Sequence, residues 1–265
     1  MTPTTIGQKR ALGKRVEALH IVSTVSRTIH TRRDALKDLI GAKTNIQLRG
    51  LSPLLKSWTG VVMDYCRSDS FEDAPWWYNE RASISTLAGA AWRLKGWQAL
   101  EEFSTIKRGT PPGSHVNRIR EKRGRCDLYV AHGTTSFALE AKQAWQSIRT
   151  GIGNVQSAMA QARADAGNLT ADQGDHRVGI VFTAPNLSIA SVTKATKDRE
   201  IVDHKAVREH VCKWLKNASL EQFDAYAFVF PNRCGQLVSK KTQNIYPGVL
   251  LTMSRCKTGT RTARK

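Results

Sequence analysis

The stretch from Arg125 to Gln143 constrains this chain more than any other. Two alternating runs, Cys126–Ala131 and Thr135–Gln143, flank a turn at His132-Gly133 and predict an antiparallel hairpin. With His132 to Thr135 as the connection, Ala131 stands opposite Ser136, and counting back sets Asp127 opposite Glu140. Leu128, Val130, Phe137, Leu139 and Ala141 then make one wholly apolar face. Lys142, two residues after Glu140, shares the other face with both acids. Opposed side chains in a hairpin lie ~5 Å apart, and two carboxylates at that spacing repel by about 3 kcal/mol at an effective dielectric near 20. A positive charge belongs between them. Lys142 serves in part; a hard divalent cation serves better, since Mg²⁺ takes oxygen ligands from one or two carboxylates plus a substrate phosphate.

Around this hairpin the chain reads as alternating helices and strands. Residues 7–45 are basic and helical in pattern, with Leu12, Val16 and Leu19 on a narrow stripe and a second short helix around Leu36, Leu39 and Ile40. Ser52-Pro53 opens a helix through Leu54, Leu55, Trp58 and Val62 to about Cys66. Asn79 caps a helix from Glu80 through Ile84, Leu87, Ala91 and Leu94, ended by Gly96. Ala99–Lys107 reads as a strand, and 107–125, with Pro111-Pro112-Gly113, as a basic loop. Asn154 caps a helix ending at Gly167; Val178–Thr183 is an apolar strand; 203–217 is a helix around Val207, Val211 and Trp214. Ala225–Phe230 and Val249–Met253 complete the strands. The result is an α/β fold with a mixed central β-sheet flanked by helices. Three regions follow: a basic helical N-terminal region over 1–50, an α/β domain over 51–256, and a basic tail over 257–265.

Charge narrows the partner. The net charge is +19. Residues 1–50, 107–125 and 239–265 carry +7, +6 and +7, so the rest of the chain is nearly neutral. One-signed blocks repel one another unless a polyanion meets them, which points to nucleic acid. No apolar run is long enough to span a membrane, and the N-terminus lacks the apolar core of a secretory signal, so a cytoplasmic location is expected. The five cysteines show no metal-corner spacing and read as free thiols. No phosphate-binding GxxxxGK[ST] loop occurs. Gly151-Ile152-Gly153 is too small a signal to count as a phosphate cradle.

Asp127 followed by Glu140-Ala141-Lys142 resembles the signature of the PD-(D/E)xK nuclease superfamily, and the helix–strand–strand–strand–helix–strand order over residues 76–185 is similar to that family's restriction-endonuclease-like core. The resemblance implies that Asp127 and Glu140 bind metal, Mg²⁺ or Mn²⁺ in its place, while Lys142 helps activate the attacking water. Many members add a glutamate from the preceding helix, for which Glu80 is the candidate, and some use a glutamine from the following helix, here Gln156 or Gln161. Cys126 stands where the family name has proline.

The function this implies is a Mg²⁺-dependent endonuclease hydrolysing phosphodiester bonds, with DNA favoured over RNA, and of restriction, phage-defence or repair type. A homodimer would suit cutting of both strands. The alternative is a non-catalytic DNA- or RNA-binding protein that retains the fold. Bland readings stand beside these. Asp127, Glu140 and Lys142 can form a solvated ion-paired face, Glu80 can simply favour a helix start, and Trp76-Trp77-Tyr78 can pack the body rather than stack bases.

Overall fold

The computed structural model describes residues 37–109, 120–195, 200–233, 237–239 and 241–256. Residues 7–36 of the region 7–45 expected to be helical, residues 110–119 of the expected basic loop and the tail 257–265 lie outside them. In chain order the elements are β1 (Leu39–Thr44), α1 (Ser52–Ser68), α2 (Glu80–Trp92), β2 (Trp97–Gly109), β3 (Arg120–His132), β4 (Thr135–Ser147), α3 (Gly153–Asn168) and β5 (His176–Ser188). They continue with β6 (Thr193–Ala195), β7 (Glu200–Val202), α4 (His204–Asn217), β8 (Ala225–Phe230), β9 (Val238–Ser239), β10 (Asn244–Ile245) and β11 (Val249–Arg255).

The main sheet runs β1-β8-β11-β5-β4-β3-β2. β4 and β5 are parallel and joined through α3, while the other neighbours on this path are antiparallel. The sheet is therefore mixed, and side-chain alternation divides its two faces. Val178, Ile180, Phe182 and Ala184 of β5 join Leu128, Val130, Leu139 and Ala141 in one core with α1 and α2. Val181 and Ala144 join a second core with α3 and α4. Helices cover both faces because both faces are apolar.

The hairpin register is the expected one, with Ala131 paired to Ser136. The turn is tighter than a four-residue connection: His132 pairs with Thr135, and Gly133 takes φ +60, a conformation that favours glycine. Asn79 caps α2 as expected, its side chain accepting from the Ala82 amide.

Three local expectations are corrected. Leu39 and Ile40 belong to a strand, not a helix: β1 pairs along its length with β8, and Gly41 lies under the Phe228 ring, where a Cβ would come within 2.5 Å. Residues 107–125 are not a loop throughout. β2 and β3 stay paired from Lys107↔Lys122 to Gly109↔Arg120. Asn154 does not cap α3, which starts at Gly153; its side chain donates to the Trp145 carbonyl, and Gln146 Oε1 accepts from its backbone amide.

Gly179 sets the distance between α3 and the sheet. It sits beside Glu140 in the β4–β5 ladder, and a Cβ there would lie 2.6 Å from the Arg163 backbone nitrogen. Backbone cannot yield as a side-chain tip can. Gly179→Ala should lower stability by about 2 kcal/mol, seen as a fall in Tm, since overpacking costs roughly 1–3 kcal/mol. Gly89→Ala, in α2 with open space around it, should raise Tm slightly. Equal melting of Gly179→Ala and the parent would show that α3 is not seated this closely.

Candidate functional site

β3 leaves β4 at Leu128↔Leu139, one residue short of the expected Asp127–Glu140 pair. At that point the Asp127 side chain replaces the ladder, Oδ2 accepting from the Ala141 amide at 2.8 Å. Glu102, across from Asp127 on β2, has φ +50, a strained value for a non-glycine residue. Its carboxylate is held by Arg81 at 2.7 Å and Arg125 at 3.0 Å. This left-handed residue bends β2, and beyond it Lys107 forms an antiparallel bridge to Leu169, the residue that follows α3.

Glu140 lies beneath that ribbon with a side chain only 3% exposed. Lys107 Nζ stands 2.7 Å from its Oε1, although no hydrogen bond of good angle is made to that oxygen. Burial pushes the Glu140 carboxyl up to about 7; Lys107 opposes the rise, and the Asp127 and Asp165 carboxylates add to it. Glu80, half-buried at the start of α2, is also raised, first by burial. Lys142 and a hydrogen bond from the Gln143 amide pull it down, and Asp127 and Asp165 push it up. Lys142 donates to the Ala141 carbonyl at 3.0 Å and pairs with Asp165 Oδ2 at 2.7 Å. Burial lowers its pKa, but Asp165, Glu80 and Asp127 together outweigh that, so the net direction is upward.

Asp127 is thus within electrostatic reach of Glu80, Glu140 and Lys142, and Glu80 of Lys142, where the apolar backing of β3 and β4 holds the strands. Gln161 is exposed on α3, and Gln156 donates instead to Gln222. Trp76 is buried in the α1–α2 core, with its indole donating to the Tyr246 carbonyl, which places it in packing. Cys126 is buried, and burial pushes its thiol up to about 12, so it is no nucleophile at neutral pH.

Two participants escaped the sequence reading. Asp165 is the sole acid of α3, one residue before the buried Ala166, and that position flanking the apolar stripe was the available signal. Lys107 carried no comparable signal, because its approach to Glu140 depends on the bend at Glu102.

The donor set is one of carboxylate oxygens, which suits a hard cation such as Mg²⁺. The buried Glu140 Oε1, lacking a well-formed hydrogen bond, fits the same role. Among the described residues, no three His, Cys, Asp or Glu side chains stand ready as a ligand set. Asp127 is engaged with an amide, and Glu140 and Asp165 with lysines. Comparison with protein-family models, with curated proteins and with solved structures returns no match.

The raised Glu140 pKa has a stability consequence. The folded protein keeps this proton from the ordinary 4.5 up to about 7, where the unfolded chain has lost it. The group's stabilising contribution is therefore full below pH 4.5 and declines as pH rises toward 7. In EDTA, unfolding free energy should fall between pH 5 and pH 8, and Glu140→Gln should remove roughly 2 kcal/mol of that fall. Denaturant titrations at both pH values check this; an unchanged pH dependence in Glu140→Gln would refute the assigned burial.

Proposed function

We propose that this chain is a metal-dependent nuclease of restriction-endonuclease-like fold, hydrolysing phosphodiester bonds in DNA. The observation that carries the reading is Asp127 within electrostatic reach of Glu80, Lys142 and the buried Glu140, a carboxylate already paired to a cation. Asp127 and Glu140, with Glu80 in support, would hold Mg²⁺ or Mn²⁺. A bound ion of this kind supplies polarisation of a phosphoryl oxygen and a more acidic water.

The side chains do the rest. The upward-shifted Lys142 stays protonated at neutral pH, so it acts as a donor rather than a base. It orients the attacking water and offsets charge developing on the phosphoryl group. Asp165 fixes the lysine by its ion pair at 2.7 Å. Lys107 stands at Glu140 where a cation would stand, so loading the site requires that this ion pair open. The basic ribbon, N-terminal segment and tail hold backbone phosphates, which gives affinity without sequence choice. A cytoplasmic setting agrees with this reading, and paired chains would suit double-strand cutting. Among the described residues, no helix is long and apolar enough to cross a membrane.

One observation favours the second reading, a nucleic-acid-binding protein without catalysis. Glu140 and Lys142 are each neutralised within the chain, by Lys107 and Asp165. A site that has given up its metal would be balanced in the same way.

Incubation with supercoiled plasmid, single-stranded DNA and RNA, in Mg²⁺, Mn²⁺ or EDTA, separates the two. The nuclease reading expects cutting that EDTA stops. Glu140→Gln and Lys142→Ala should each slow it by at least about a hundredfold, with DNA binding nearly intact. Binding without cutting in either metal would select the second reading.

A further inference from the structure

A cleft of about 300 Å³ opens on the α3–α4 side of the molecule, between the β4-to-α3 connection and the outer face of α4. Arg149 lines one wall, and His210 and Lys213 the other. All three are exposed at its rim, and Asn217 adds a polar amide one turn beyond Lys213. His210 and Lys213 project together because residues three apart share a helix face. The wall is fixed where Trp214, 3% exposed, donates its indole N–H to the Gly151 carbonyl at 3.0 Å. The Arg149 backbone amide donates to Ser147 Oγ at 3.4 Å and steadies the turn that carries the guanidinium.

No acidic side chain lines the cleft, and among the described residues none of the three basic side chains is in an ion pair. Arg149 and Lys213, two unneutralised charges at one opening, repel each other, and an anion removes that repulsion. These residues lie in the part of the chain whose charge is nearly balanced. The fold concentrates charge here that the sequence spreads over more than sixty positions.

We propose that this cleft binds a phosphate group. Arg149 can pair with two phosphate oxygens, and Lys213 supplies a compact charge opposite it. From Glu140 to Ser147 the strand advances about 23 Å, so the cleft lies well away from the acidic cluster. At about 3.4 Å per base pair, a duplex held at that cluster would bring a backbone phosphate here six or seven steps along. The choice of a polymer as the source of the phosphate rests on the nuclease reading; the phosphate chemistry does not.

The test is the double variant Arg149→Gln/Lys213→Gln, with Lys205→Gln/Lys216→Gln, two lysines of the same helix that do not line the cleft, as the control for net charge. Full-length proteins in EDTA are titrated with a labelled duplex at several salt concentrations, which makes the measurement independent of cleavage. Inorganic phosphate is titrated separately while the Trp214 indole N–H signal is followed by NMR. We expect the cleft double variant to bind duplex about tenfold more weakly, with the salt slope reduced by about one, and Lys205→Gln/Lys216→Gln to change affinity less than twofold, given about one released counterion per phosphate contact. Loss of the phosphate-induced indole shift alone, with duplex binding at the control level, would uphold the phosphate site with a small phosphate as its source. If neither duplex affinity nor the indole shift differs from the control, the proposal is wrong. A wild-type protein that binds normally and never cuts would overturn the nuclease reading and leave this result standing.

Discussion

A carboxylate inside a sheet must be given a cation or kept protonated, and the architecture around Glu140 does part of each. Its neighbours on the other face of β4, Leu139 and Ala141, are committed to the α1–α2 core, so the strand cannot rotate to release it. The bend at Glu102, bound by Arg81 and Arg125, brings Lys107 over it. The ion pair is incomplete compensation, because burial still pushes the carboxyl up to about 7.

The same geometry explains why the acids gather. Asp127 uses its side chain to satisfy the Ala141 amide where β3 departs, and it lies within electrostatic reach of Glu80 and Lys142. Gly179 permits α3 to approach within backbone contact of β5, and that approach brings Asp165 to Lys142. Each contact follows from a departure from ideal sheet geometry. Such departures, a left-handed non-glycine residue and an interrupted ladder, concentrate where groups must converge.

The two faces of the sheet divide the labour. The α1–α2 side is continuous apolar packing, with buried Trp58 and Trp76 at its centre. The α3–α4 side carries Lys142 with Asp165 at one end of α3 and the cleft of Arg149, His210 and Lys213 near the other. The ion pair and the basic cleft thus lie toward opposite ends of α3.

Much of this was legible in order along the chain. Alternation fixed the β3–β4 register, the Asn79 cap fixed where α2 begins, and parity put Glu140 and Lys142 on one face. These are properties of periods of two and of first turns, which neighbouring residues decide between themselves. What required the tertiary structure was every contact made across a bend or between layers. Lys107 finds Glu140 because a strand kinks, Asp165 finds Lys142 because a glycine lets a helix close in, and Arg149 joins Lys213 because α3 and α4 pack on the same face. Leu39 and Ile40 became a strand for a related reason: β8 had an unpaired edge to offer them. Local pattern determines which face a side chain takes; only packing over long sequence separations determines what it meets there.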